Sequence, residues 1–135
     1  MKSSLAPLIL AATLTAICGG SEARTPLHLV PEAQLDQMGV DAFAKMKAEK
    51  RLSTDPRQQA GAECVVNALR AVLPKPYATQ QWEVRVFVDP TPNAFALPGG
   101  KVGVNTGMFN VIRSQAELAA VLGHEMGHVV ARHTN

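Results

Sequence analysis

The sequence predicts an α+β chain: two N-terminal helices, then a small antiparallel sheet with a hairpin, then a buried helix bearing the motif HExxH. Three observations predict this order. Apolar residues recur at helical spacing on both sides of a break at residues 53–56. Residues 82–88 alternate and are rich in β-formers, and the turn Pro98-Gly99-Gly100 separates two further short runs. Ser114-Gln115-Ala116-Glu117 then opens an apolar stretch that continues to Ala131.

Residues 1–23 read as an export signal, with Lys2 as the positive start, residues 5–17 as the apolar run and Ser21-Glu22-Ala23 as a small-x-small cleavage site. The run is too short to span a bilayer comfortably, and no other stretch qualifies as a transmembrane span. The chain is therefore expected in the periplasm. Cys18 opens an alternative, a lipid anchor that would hold the protein at the outer membrane, although Ile17 stands where lipoprotein signals normally carry a small residue. Residues 24–31 form a leader in which His28 is a solvated residue.

Residues 32–50 make the first helix, with Leu35, Met38, Ala42 and Met46 at helical spacing and Gly39 as a weak point. Lys45, Lys47, Lys50 and Arg51 read as its wet side. Ser53-Thr54-Asp55-Pro56 starts a second helix with proline placed early, and Pro74 and Pro76 stop it after about residue 73. Its core residues are Ala62, Val65, Val66 and Leu69. With the signal cut after Ala23, Cys64 is the single remaining cysteine, which excludes an intramolecular disulfide and predicts a buried thiol.

Residues 82–88, 93–97 and 101–105 are the three strands, and residues 106–112 a short helical segment. In the capping box, Ser114 and Glu117 satisfy orphan backbone N–H groups reciprocally, which gives Glu117 a structural task. With 135 residues and 47 % apolar content, one small domain with a core is expected. A net charge of +2, scattered basic residues and 4 % aromatics give no nucleic-acid groove or base-stacking platform.

The chemistry is concentrated in His124-Glu125-Met126-Gly127-His128. Histidines four apart lie about one turn apart on one helix face, so both rings reach a single zinc ion at about 2 Å. Glu125, roughly 100° round from His124, reaches a zinc-bound water without ligating the metal. Zinc acidifies that water, and Glu125 takes its proton as it attacks a carbonyl. Burial of this helix would leave two histidines and a carboxylate in need of partners, which one metal supplies together. The plain alternative is a pair of packing or surface histidines. Gly123 and Gly127 each cost a helix interior about 1 kcal/mol relative to alanine. A close backbone beside a metal and tight helix packing account for them equally.

The stretches Asn93-Ala94-Phe95-Ala96-Leu97-Pro98-Gly99-Gly100, Val104-Asn105-Thr106-Gly107 and Glu117-Leu118-Ala119-Ala120-Val121-Leu122-Gly123-His124-Glu125-Met126-Gly127-His128 resemble the HtpX-like and prenyl-protease-like zinc metallopeptidases, the gluzincins of peptidase family M48. The resemblance covers residues 84–133 and is nearest to exported bacterial members that act in envelope protein quality control. It implies an incomplete gluzincin domain over residues 32–135, one zinc ion held by His124 and His128, and Glu125 as general base. It also implies that the strand bearing Asn93, Ala94, Phe95 and Ala96 lies beside the cleft, where an extended substrate pairs as an added strand. Ordinary turn and core work explains Asn93 and Phe95 equally well.

A catalytic zinc needs three protein ligands and a water. The family takes its third ligand from a glutamate well downstream of the motif, and none of the seven residues from Val129 to Asn135 is an acid. His133 stands about 140° off the ligand face and reads as a cation near a helix end. Glu63, Glu83 and Asp89 remain possible third ligands, with nothing to choose between them. The expected chain is the front part of a longer peptidase, weak in zinc binding and poor in proteolysis alone. Two functions follow: a zinc-dependent endopeptidase acting on extended or misfolded envelope proteins, or a non-catalytic periplasmic module that keeps the fold and holds client proteins.

Overall fold

The computed structural model describes residues 30–134, and side chains as far as Ala131. The export signal, Cys18, His28 and the side chain of His133 lie outside the described residues.

The chain orders as α1 (Glu32–Glu49), α2 (Pro56–Arg70), β1 (Glu83–Phe87), β2 (Ala94–Leu97), β3 (Lys101–Asn105), a 3-10 turn (Thr106–Asn110) and α3 (Gln115–Thr134). This is an α+β fold of three layers. The sheet is mixed, not purely antiparallel: its order is β1-β3-β2, with β3 parallel to β1 and antiparallel to β2. The Pro98-Gly99-Gly100 hairpin forms as expected, with Gly99 and Gly100 at φ of 78° and 69°, where a Cβ is disfavoured. The parallel pairing was hidden because alternation reveals a strand's faces but not its partner.

Alternation sorts the sheet cleanly. Val84, Val86, Val102, Val104, Ala94 and Ala96 share the face that meets Ala62, Val65 and Val66 of α2 and Leu118, Leu122 and Met126 of α3. On the opposite face Phe87 and Phe95 meet Phe43 of α1, with ring centroids 5.8 and 6.5 Å from it. The seam of α1 is thus Leu35, Gly39, Val40, Phe43 and Met46. Met38, expected inside, is 58 % exposed, and Ala42 is exposed as well. Lys47, placed on the wet side, turns inward to Glu83 at 2.6 Å. Gly39 is no weak point: a Cβ there would overlap the carbonyl of Pro98, and Asp36 accepts a 2.8 Å hydrogen bond from Gly99 N–H.

Helix α2 begins where expected, with Pro56 in its first turn and the Asp55 carboxylate accepting from Arg57 N–H at 2.9 Å. It ends at Arg70, and Val72 and Leu73 then bond three residues back in a tightened turn before Pro74. Cys64 is exposed, against expectation. The core stripe runs through Ala62, Val65, Val66 and Leu69, and Cys64 falls outside it by helical rotation.

Helix α3 is capped by Ser114, whose hydroxyl accepts from Glu117 N–H at 3.2 Å. Glu117 reaches back to the N–H of Arg113 at 2.7 Å rather than to that of Ser114, so the box closes one residue early. The helix buries Leu118, Leu122, Met126 and Val129. Its other side is open, because Ala116, Ala120 and Ala131 count as apolar in the sequence yet are too small to demand burial.

Candidate active site

His124 and His128 stand exposed on α3, with Glu125 half-buried between them and the core. Their Nε2 atoms face each other at 2.9 Å, with ring centroids 4.4 Å apart. The expectation that burial forces these groups to find partners is therefore corrected, since water reaches both imidazoles. What supports a shared ligand is their convergence. Two nitrogens bound to one tetrahedral zinc lie roughly 3.3 Å apart, so the observed pair needs only a small ring movement to hold the ion.

The flank on which they stand follows from the packing. Helix α2 lies over β1, α3 lies over β2, and the two helices pack side by side. A Cβ on Gly123 would meet Leu69 of α2 at 3.5 Å, which marks the α2 flank of α3. Relative to the buried stripe, Gly123 lies roughly 100° to one side and His128 roughly 100° to the other, with Glu125 nearer the core on the same side as His128. The histidines therefore stand on the exposed part of α3 turned away from α2. A Cβ on Gly123 would make only an ordinary contact, and one on Gly127 would meet no described atom within 4 Å.

The outer edge of β2 is open. Asn105 N–H donates to Asn93 C=O at 2.9 Å, which fixes Asn93, Phe95 and Leu97 as the residues bonded to β3. Ala94 and Ala96 then direct their N–H and C=O groups away from the sheet. The opposite edge is covered by residues 51–53: Ser53 N–H donates to Val86 and Val88 N–H to Arg51, both at 2.8 Å. Of the four cleft residues named from sequence, Ala94 and Ala96 present backbone to the open side. Phe95 lies across Gly103 and stacks on Phe87 with centroids 6.2 Å apart, while Asn93 spends its carbonyl on β3. This division depends on register, which the sequence did not carry.

No third histidine, cysteine or acid joins the pair among the described residues. Glu83 is engaged by Lys47 at 2.6 Å and Lys101 at 3.0 Å, and the Lys47 hydrogen bond, above all, holds its carboxyl below the usual range. Asp89 accepts from Thr91 N–H at 2.9 Å, and Glu63 accepts from Gln59 at 2.7 Å. The three acids left open as ligands are thus occupied elsewhere. The residues present fit two ligand positions of a zinc site.

The sequence profile of Peptidase family M48 matches residues 56–135, well over half of the chain. The chain belongs to peptidase family M48. It is 34 % identical over 131 residues to the mitochondrial metalloendopeptidase OMA1 of Arabidopsis thaliana, covering 91 % of this chain and 24 % of that one. The OMA1 of Schizosaccharomyces pombe is 56 % identical over 54 residues, 40 % of this chain and 16 % of the relative. A putative beta-barrel assembly-enhancing protease of Vibrio cholerae is 49 % identical over 41 residues, 30 % of this chain and 8 % of the relative. The chain thus spans a quarter or less of the length of these M48 relatives.

Proposed function

We propose that this M48 chain carries the zinc-binding and water-activating residues of a metalloendopeptidase. The observation that supports this best is the 2.9 Å approach of His124 and His128 on the exposed side of α3. One zinc ion held by these two nitrogens would supply a polarised scissile carbonyl and an acidified water. Glu125, one residue from His124 and on the same flank, takes the proton of the attacking water on its carboxylate and returns it to the leaving amine. No ion pair holds Glu125 among the described residues, so its carboxylate is available for this exchange. The substrate lies extended along Asn93, Ala94, Phe95 and Ala96, and the backbone pairing demands no particular sequence.

The setting we infer is the periplasm, with extended or misfolded envelope proteins as substrates. The charge, apolar run and small-x-small site of residues 1–23 support export. The bacterial relatives named as beta-barrel assembly-enhancing proteases support an envelope substrate. Among the described residues no helix is long and apolar enough to cross a membrane. A lipid on Cys18 would move the site to the outer-membrane surface.

The two-ligand site supports a second reading, a module that binds clients without cutting them. Replacing Glu125 by Gln separates the two. Zinc uptake is expected to persist in Glu125→Gln while chelator-sensitive cleavage of an unfolded protein falls by at least about a hundredfold. Cleavage at the wild-type rate in this variant would sink the peptidase mechanism. Client retention without cleavage in both proteins would favour the second reading.

A further inference from the structure

Two cavities follow one another along the seam of α2 and α3, and Gln115 borders both. The first, about 270 Å³, is walled by Phe109, Ile112 and Leu118, with Gly61 on the α2 side and Arg57 at its rim. The second, about 310 Å³, is bounded by Cys64, Ala68 and Leu69 of α2 and by Ala116 and Ala119 of α3. Together they follow α2 from its first turn to its last, roughly 18 Å at the helical rise per residue. Their volume falls in the range of small-ligand pockets.

Gly61 marks the seam as a place left open. Glycine weakens a helix interior, and no neighbour requires it here, since a Cβ would meet no described atom within 4 Å. Arg57 is the one charged residue bounding either cavity among the described residues. Its side chain is 94 % exposed, and its ion pair to Asp55 is a long contact of 3.9 Å. The Asp55 carboxylate already accepts from Arg57 N–H at 2.9 Å as the cap of α2. His124 and His128 stand on the part of α3 turned away from α2, so the seam is separate from the candidate active site.

We propose that this seam binds a long-chain fatty acid, with its carboxylate on the Arg57 guanidinium and its tail laid past Gly61, Cys64 and Ala68 towards Leu69. One cation at one end and uncharged walls beyond it suit an amphiphile with a single acidic head. Walls of glycine, alanine and cysteine suit an unbranched tail, which needs no recess for a side chain. An extended polypeptide fits less well, because its amides would lie against carbon without hydrogen-bond partners. A saturated tail of about fourteen carbons spans the seam at ordinary bond lengths. The site goes beyond the peptidase reading and does not depend on it.

The probe is tetradecanoate, titrated calorimetrically into the 135-residue chain below its micellar concentration, with methyl tetradecanoate as the same tail without a charge. Arg57→Gln should weaken tetradecanoate binding about tenfold and leave the ester unchanged. Gly61→Leu fills the first cavity and should weaken both at least about tenfold. Ala68→Leu, at an exposed position, narrows the second cavity and replaces that test if Gly61→Leu fails to fold. Saturation should also slow alkylation of Cys64 by iodoacetamide at least about fivefold, followed by peptide mass so that Cys18 is not counted.

Unslowed alkylation of Cys64 at saturation overturns the site, as does the absence of binding. Uptake of several equivalents with the same affinity in all variants also overturns it, because the ligand then associates as a detergent. So does a concentration-dependent dimer that shields Cys64 without ligand, since the seam then belongs to a second copy. Zinc uptake, titrated separately, should be the same with and without tetradecanoate, and zinc-dependent protection of Cys64 would merge the two sites and overturn their separation.

Discussion

Gly39 sits in the middle of a helix, where alanine would be favoured by about 1 kcal/mol, because Pro98 leaves no room for a Cβ. Gly61 is the contrast, since a Cβ there would meet no described atom within 4 Å. Opposite effects are therefore expected from the same substitution. Gly39→Ala should destabilise by about 1–3 kcal/mol, the range of an overpacked core, despite its better helix propensity. Gly61→Ala should stabilise by about 0.5–1 kcal/mol. Thermal melts of the two variants check this, and a gain of stability in Gly39→Ala would mean that α1 is not seated on the hairpin turn. At the site, only the motif itself was legible by residue. The type and spacing of His124 and His128 were enough to bring two nitrogens together. The exposure of both rings was not, because a chain of alanines and glycines reads as apolar without filling space.

Glu83 belongs to β1 but works between elements, bonding Lys47 of α1 at 2.6 Å and Lys101 of β3 at 3.0 Å, with Arg85 at 3.6 Å. The Lys47 hydrogen bond is the largest cause of its lowered pKa, followed against it by burial and then by Lys101. A carboxyl whose pKa falls on folding stabilises the fold above its unfolded value, about 4.3 for glutamate, and loses that contribution as pH falls through the folded value. Glu83→Gln should therefore lower stability by about 1 kcal/mol at pH 7, with the difference from wild type vanishing towards pH 2–3. Melts across that range test it, and a constant difference at every pH would place the effect in packing. The elements themselves were largely readable: β3 has the expected limits, the hairpin forms, and both caps involve the expected residues. What failed was orientation. The α1 stripe was drawn through Met38 and Ala42 because their spacing is helical, whereas the seam is set by Phe43, whose bulk fits the aromatic pocket formed by Phe87 and Phe95. Cys64 was assigned to the core through its neighbours, although one residue of rotation separates it from them.

At the scale of the molecule the sheet divides two different cores. On one side, valines of β1 and β3 meet α2 and α3, and this layer carries the histidines. On the other, three phenylalanines and the Lys47–Glu83 pair fasten α1, which lies before residue 56, where the family match begins. The open β2 edge belongs to both layers, since Ala94 and Ala96 face α3 while Phe95 faces α1. Site geometry should therefore depend on α1 even though α1 holds no metal ligand. Phe43 is fully buried, so Phe43→Ala is expected to cost about 3–5 kcal/mol, much of a small domain's stability. Phe43→Leu should recover part of that loss. If the coupling through Phe95 is real, amide exchange in residues 94–97 and 101–105 should accelerate in Phe43→Ala more than in α2. A fast-exchanging β2 would also weaken polypeptide binding while leaving zinc affinity close to wild type. Acceleration confined to α1 would instead make the helix an independent appendage, with the edge held by β3 and α3 alone.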